Sequence, residues 1–147
     1  MYKKIMVATD GSKLSKKAVV AASALAAEFG ADLTLVRVVP HYAKTFFDGS
    51  SVLSIKEMDQ IEKDLTERAQ ASLNQLLKTT VDRSVNARTV VTRSTDISGA
   101  LLKVANKFNA DLIVMASHGR GAIKRVLIGS ETMQVLTHSE IPVLVIR

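Results

Sequence analysis

The sequence predicts an α/β fold in which a parallel sheet is covered by helices on both faces. Strand-like and helix-like patterns alternate along all 147 residues and give five strands. The apolar runs are nearly continuous, as in "DLTLVRVV" and "DLIVMAS", which is typical of strands buried on both faces. The length fits one domain, and we expect residues 1–147 to form it.

The first half of the chain gives two strands and a helix. The run 3–9 is a strand that ends at the turn signal "DGS". A helix follows over 12–29, and Gly30 stands where a C-terminal cap belongs. The second strand covers 32–39 and is stopped by Pro40. The apolar face of the helix is formed by Leu14, Ala18, Ala22, Leu25 and Phe29.

The second half follows the same alternation after an irregular stretch, 40–51. A strand over 87–93 precedes a helix that Asp96 caps, and a strand over 111–117 precedes a helix from Ser130 to about Ser139. The chain closes with a strand over 142–147. Between the irregular stretch and residue 87, a long helix is expected to place one face inward: Ile55, Met58, Ile61, Leu65, Ala69, Leu73 and Leu76.

Composition excludes several classes of protein. Hydrophobic residues make up 47% and charged residues 23%, as in a globular protein. There is no cysteine, which excludes disulfides and thiolate metal sites. No apolar run can span a bilayer, and "MYKKIMVATD" is cut by Asp10, so it predicts a strand rather than a signal peptide. We therefore expect a cytoplasmic protein.

The net charge of +6 raises the possibility of nucleic-acid binding. The basic residues are spread along the chain, however, and only 4% of residues are aromatic, too few for a base-stacking platform. Most of these charges are expected to solvate helix faces. Nucleic-acid binding is thus a hypothesis supported by net charge alone.

A ligand of such a sheet binds beyond the carboxyl ends of its strands, where the strand order reverses. This rule selects "ATDGS", "VVPH" and the segment "MASHGRGAIKRVLIGSET" at 115–132. Gly129-Ser130 precedes the last helix, whose N-terminus attracts anions, and Arg120 can add a cation. The segment contains neither a Walker nor a dinucleotide fingerprint. The residues alone leave two interpretations open: a phosphate cradle, or a turn at Gly129 with Ser130 as a helix cap.

The chain resembles the universal stress protein family over essentially its whole length. The resemblance rests on "KKIMVATDGS", "SHGRG…IGS" and "IPVLVIR". The ATP-binding branch carries Gly, two residues, Gly, nine residues and Gly-Ser or Gly-Thr. Here Gly119 is followed by nine residues and then Gly129-Ser130. The resemblance implies a Rossmann-like, five-stranded parallel sheet of order 3-2-1-4-5.

The resemblance also implies an ATP site, with AMP or ADP as other possible occupants. Ala8-Thr9-Asp10 would lie against the nucleotide, with Asp10 near the ribose, the phosphates or a nucleotide-bound Mg²⁺. The Val38 backbone would bind adenine, and Arg120 is added from charge and position. The remaining site residues line the ribose and the phosphates: Met115, Ala116, Ser117, His118, Gly119, Gly129, Ser130, Glu131 and Thr132.

Ala116 departs from the family pattern, which has glycine there. If its backbone has positive φ, alanine costs about 1 kcal/mol. If glycine only provides clearance, a methyl group crowds the ribose slightly. Either effect weakens binding rather than abolishing it.

The sequence indicates a nucleotide-dependent stress-response module with at most slow ATP hydrolysis. His41, His118 and His138 have no metal-ligand spacing, and the side chains of adjacent Ser117 and His118 are expected to diverge. No catalytic residue is therefore predicted. The family implies a homodimer formed through the strand at 142–146, whose edge is apolar.

The alternative hypothesis is a nucleotide-free scaffold that dimerises and binds a protein partner. Phe46 and Phe47 support it, because they stand in a Gly/Ser-flanked segment where exposure is plausible. Two aromatic residues beside a long helix also suit a flap that folds onto the core.

Overall fold

The computed structural model describes residues 1–41, 54–118 and 128–147. Five strands and four helices alternate in this part of the chain. Their order and bounds are β1 (Lys4–Ala8), α1 (Lys13–Phe29), β2 (Asp32–Pro40), α2 (Ile55–Thr80), β3 (Ala87–Ser94), α3 (Ile97–Lys107), β4 (Leu112–Ala116), α4 (Ser130–His138) and β5 (Val143–Ile146).

All five strands are parallel, and their order is β3-β2-β1-β4-β5, which confirms the predicted fold. One core cluster joins α1 and α2 to one face of the sheet through residues such as Ala22 and Leu73. A second cluster joins α3 and α4 to the other face through Leu101 and Val135. The strand order reverses beside β1, because the chain moves outward through β2 and β3 and returns to β4. The carboxyl ends of β1 and β4 thus border the crevice where ligands bind such sheets.

Helix α1 packs closely on the centre of the sheet because its inner face is made of small residues. Ala18, Ala22 and Ala26 are each at most 1% exposed. Gly30 ends the helix in the left-handed region, with φ +60, and its amide bonds to carbonyls of the last turn. The predicted helix and its glycine cap are confirmed.

Two details of the prediction are wrong. Pro40 does not stop β2 but is its last residue, paired with Ser94. Because the bonding direction alternates along β2, the Pro40 nitrogen, which carries no hydrogen, faces the β1 side. Strand β1 has already ended there, so no ladder bond is lost. On α2, Ala69 and Leu73 are buried as expected, but Ile61 is 45% exposed. Ile55 and Leu65 are exposed as well, so only the second half of the predicted face packs on the sheet.

The first three helices begin at residues whose side chains close the N-terminus. Ser12 caps α1 and Asp96 caps α3, and Ser54 forms a capping box with Glu57 on α2. The backbone amide of Ser54, and then its hydroxyl, lower the pKa of the Glu57 carboxyl. Helix α4 differs, because its N-cap is Gly129, and within the described residues no side-chain cap bond closes its first turn. The interpretation of Ser130 as a helix cap is therefore wrong.

Among the described residues, no helix combines the length and the apolar character that crossing a bilayer requires.

Candidate functional site

The turn after β1 is tied together by its own side chains. The Thr9 amide continues the ladder by donating to the Val36 carbonyl at 2.9 Å. Ser15 Oγ donates to the Ser12 carbonyl and lies 2.9 Å from Thr9 Oγ1. The Asp10 carboxylate accepts from the Ser12 amide at 2.9 Å. This network fixes Asp10, half-buried, at the rim of the crevice.

The end of β2 presents unpaired backbone groups toward the same crevice. In β2 the even-numbered residues bond to β1, as the bond from the Asp32 amide to the Lys3 carbonyl shows. The ladder ends with Thr9 and Val36, because β1 turns away. Val38 is the next even-numbered residue, and within the described residues its amide and carbonyl have no backbone partner toward β1. A donor and an acceptor of the same residue thus face the crevice.

The end of β4 forms the buried floor beside β1. Met115, Ala116 and Ser117 are between 2% and 7% exposed. Ala116 is the last residue of β4 and pairs with Ile146. Among the described residues other than glycine, only Asn109 has positive φ. A positive φ therefore does not explain the glycine that the family pattern has at position 116. The remaining explanation is that glycine provides clearance for the ribose.

Ser117 and His118 do not diverge, and that expectation was wrong. Ser117 Oγ lies 3.1 Å from His118 Nδ1, and the chain bends at Ser117 as it leaves β4. Ser117 is only 2% exposed, and its amide bonds to the Ile146 carbonyl. So little exposure makes the Ser117 hydroxyl poorly placed to act as a nucleophile, and its predicted place beside the ribose and phosphates stays a prediction.

Helix α4 begins directly against the end of β4. The Gly129 amide donates to the Ser117 carbonyl at 2.6 Å. A Cβ at position 129 would lie 3.3 Å from His118 Cα, closer than backbone packing readily accepts. Glycine allows this close approach without displacing His118. This contact sets the N-terminus of α4 at the carboxyl end of β4.

The first turn of α4 carries three amides with no acceptor within the described residues: those of Ser130, Glu131 and Thr132. Unpaired amides are normal in a first turn, but a side-chain cap usually satisfies one of them. The Thr132 hydroxyl is not available to a ligand, because it donates to the Ala116 carbonyl at 2.9 Å. The helix dipole adds partial positive charge at this point. The first turn is therefore a potential anion site.

Some predicted residues lie outside the described part of the chain. These are Gly119 and Arg120 in the segment after β4, and Phe46 and Phe47 in the segment after β2. Ala8 and Met115 are buried in the core below the crevice. Among the described residues, no three metal-ligating side chains cluster together.

A buried carboxylate near the end of β2 was missed by sequence reasoning. Glu62 on α2 is 7% exposed and bridges His41 Nδ1 at 2.9 Å and Arg93 at 3.1 Å. Such partners offset the loss of hydration that a carboxylate suffers on burial. The signal for its burial is spacing, because Glu62 precedes Ala69 by seven residues and Leu73 by eleven, in phase with the inner face of α2.

The fold and the crevice define a doubly wound α/β domain with an open helix N-terminus at its switch point. The model of the universal stress protein family matches residues 1–147, and the chain belongs to that family.

The chain is similar to known family members over its full length. Universal stress protein MJ0531 of Methanocaldococcus jannaschii is 30% identical, over 100% of this chain and 83% of its own. The solved structure of MJ0577, a universal stress protein of the same organism, has a TM-score of 0.83 at 25% identity and covers 99% of this chain and 96% of its own. A universal stress protein from Archaeoglobus fulgidus in complex with dAMP has a TM-score of 0.62 at 16% identity, with 99% and 98% covered. This last likeness establishes the fold alone.

Proposed function

We propose that this protein binds ATP and acts as a nucleotide-dependent stress-response module. The observation that carries the proposal is the open first turn of α4, where the Ser130, Glu131 and Thr132 amides have no acceptor within the described residues. Such a turn at a sheet's switch point is suited to phosphate. The Ser130 side chain is exposed and adds a hydroxyl donor to the same place. Glu131 is exposed too, and the helix dipole favours its charge there.

The other end of the ligand is assigned to adenine. The Val38 amide and carbonyl offer one donor and one acceptor beyond the end of β1, which is the pattern that an adenine edge pairs with. A family member of the same fold has been solved with dAMP, which supports an adenine nucleotide in a sheet of this kind. Gly119 and Arg120 are proposed as further phosphate contacts on the basis of the family pattern.

Asp10 is the proposed contact to Mg²⁺ that accompanies the nucleotide. Its carboxylate is fixed at the rim by the Ser12 amide, and carboxylate oxygens suit Mg²⁺. Bound Mg²⁺ would neutralise phosphate charge. One carboxylate at the strand ends supports slow hydrolysis at most, so the bound state rather than turnover is the proposed function.

Isothermal titration calorimetry with ATP and Mg²⁺ tests this proposal, together with anion exchange of nucleotide released from freshly denatured protein. We expect micromolar affinity. Ser130→Asp should weaken it at least about a hundredfold, because it sets a carboxylate against the phosphates. Gln134→Glu is the matched control, since it adds the same charge to an exposed position one turn later, and it should stay within about threefold.

Two results would overturn the proposal. Absence of both heat and co-purified nucleotide would remove ATP binding altogether. Unchanged affinity in Ser130→Asp would mean that α4 does not hold the phosphates.

We also propose that the protein is a cytoplasmic homodimer paired through residues 142–146. Strand β5 is at the edge of the sheet, and Leu144, Met133 and Leu136 expose apolar surface beside it. Leu144→Lys should convert the dimer to a monomer in analytical ultracentrifugation. A wild-type monomer at micromolar concentration would contradict the pairing. The scaffold alternative gains support only if the protein dimerises and binds no nucleotide.

A further inference from the structure

A second cavity lies at the opposite end of the sheet from the proposed nucleotide site. Its volume is about 210 Å³, and its lining includes Lys4, Asp32, Thr34, Arg88 and Lys107. Lys4 and Asp32 begin two neighbouring strands and pair with each other. Thr34 pairs with Arg88 on the next strand. The order β3-β2-β1 therefore gathers at one edge residues that are far apart in the sequence.

The lining is strongly cationic, and within the described residues the side chains of its cations form no ion pair. Lys4, Arg88 and Lys107 form no ion pair with any residue in the described ranges. The carboxylate of Asp32 instead accepts from Asn86 Nδ2 at 2.8 Å. Three cations and one carboxylate leave an excess of two positive charges.

Two of these cations are held over the same aromatic ring. The Arg88 guanidinium lies 5.4 Å from the centroid of Phe108, and Lys107 Nζ lies 5.8 Å from it. The ring attracts each cation, but the two like charges repel one another. An anion bound between them would remove that repulsion. The side of Phe108 and the neighbouring Ile5 give the cavity apolar surface as well.

Thr34 supplies a neutral hydrogen-bonding group to the cavity. The residue is only 6% exposed and lines the cavity. Within the described residues every fully enclosed side-chain N or O atom has a partner, so the Thr34 hydroxyl, which forms no side-chain hydrogen bond there, is open to the cavity. A hydroxyl in this position can donate to a ligand.

We propose that this cavity binds a small phosphomonoester. The phosphoryl group carries about two negative charges at neutral pH, which matches the excess of positive charge in the lining. A guanidinium, an ammonium group and a hydroxyl are the donors that phosphate takes. The cavity is smaller than the roughly 300 Å³ at which drug-sized pockets begin, so the organic part is small. The site is separate from the α4 turn and does not depend on the proposed function.

NMR titration of ¹⁵N-labelled protein with glycerol phosphate at constant ionic strength tests this proposal. Inorganic phosphate is the second arm, and acetate and sulfate are controls. We expect saturable shifts of the Thr34, Arg88 and Asn109 amides with a millimolar dissociation constant. Equal affinity for inorganic phosphate would support a site that recognises the phosphoryl group alone, and weaker affinity would support contact with the organic part.

Variants separate this site from general attraction to a basic protein. Arg88→Gln should weaken binding about tenfold, and Thr34→Val, which removes only the hydroxyl, by about threefold. Lys103→Gln is the matched control, because Lys103 is exposed on α3 and does not line the cavity. The chemical shift changes of the Thr34, Arg88 and Asn109 amides should persist in Ser130→Asp, the variant that closes the α4 turn to phosphate.

Three outcomes would overturn the proposal. One is an absence of saturable shifts at these amides. Another is equal binding of acetate or sulfate, which would indicate general anion attraction. The third is an equal loss in Lys103→Gln and Arg88→Gln. Each of these is independent of ATP binding at the other end of the sheet.

Discussion

Helices α1 and α4 both begin at the carboxyl end of the sheet, on opposite faces, yet their first turns differ in kind. In α1 the Ser12 amide is bonded by Asp10 and the Ser15 amide by Ser12 Oγ at 3.2 Å. In α4 the cap is Gly129, and the amides of 130–132 have no acceptor within the described residues. The first turn of α1 is thus stabilised by its own side chains, whereas the first-turn amides of α4 depend on water or a ligand for their hydrogen bonds.

The difference shows that a fold can cap one helix N-terminus for stability and leave another open for binding. A side-chain cap contributes about 1 kcal/mol, but it occupies the groups that an anion would use. A glycine cap gives up that contribution and lets the helix approach β4 closely. Substitutions at matched positions of the two helices should therefore separate stability from affinity.

Among the matched substitutions in the two helices, the largest effect on stability is expected from Gly129→Ala. The new methyl group would meet His118 Cα at 3.3 Å, which should lower the free energy of unfolding by about 2 kcal/mol. Displacing the start of α4 should also weaken ATP binding about tenfold. Gly30→Ala is the matched control: it is strained by φ +60 but has open space around it. It should cost about 1 kcal/mol and leave ATP affinity unchanged in calorimetry. Wild-type affinity in Gly129→Ala would contradict the role of close approach.

Alanine at Ser12 and at Ser130 should give opposite results. Ser12→Ala removes a cap and should lower the free energy of unfolding in urea by about 1 kcal/mol. Ser130→Ala removes an exposed hydroxyl without a cap bond and should change it by less than about 0.5 kcal/mol. ATP affinity should fall about tenfold in Ser130→Ala. The comparison between the two helices fails if Ser130→Ala is the variant that loses stability.

Ala116→Gly should have a smaller effect. Because Ala116 lies in a strand without positive φ, glycine relieves no strain and should cost about 0.5 kcal/mol of stability. Affinity for ATP should rise by less than about threefold, through clearance alone. A rise of tenfold or more in calorimetry would show that the methyl group obstructs the ligand.

The smallest effect concerns the closed N-terminus of α2. Hydrogen bonds from Ser54 lower the pKa of Glu57, so folding favours the ionised form. This stabilisation is present above the ordinary pKa of 4.5 and is lost as the pH falls through the lowered value. The difference in thermal stability between wild type and Glu57→Gln should therefore shrink below pH 4.5. A difference that is constant with pH would contradict the cap.

Sequence reasoning predicts the fold well because the fold follows from periodicity and from short-range signals. Gly30 and Asp96 stand at their predicted caps. The end of β2 is less predictable, because Pro40 is tolerated only where the neighbouring strand has already ended. That condition depends on the register between strands, which local sequence does not contain.

The candidate site was predicted as a set of positions but not as a set of bonding groups. The Val38 amide and carbonyl lack a backbone partner in the described part of the chain because β1 turns away before reaching them. The Thr132 hydroxyl is occupied because it lies close to the Ala116 carbonyl. The cavity at the opposite end of the sheet was not predicted, because the strand order alone brings Arg88 and Lys107 close together. Contacts between distant segments determine each of these features.

The bond between the Gly129 amide and the Ser117 carbonyl has a consequence for the length of the segment between them. It holds the two attachment points of that segment next to each other. For a flexible segment, doubling its length would cost only about 0.6 kcal/mol in loop entropy. Stability therefore places little constraint on that length, and the nine-residue spacing of the family pattern is better accounted for by ligand binding than by folding.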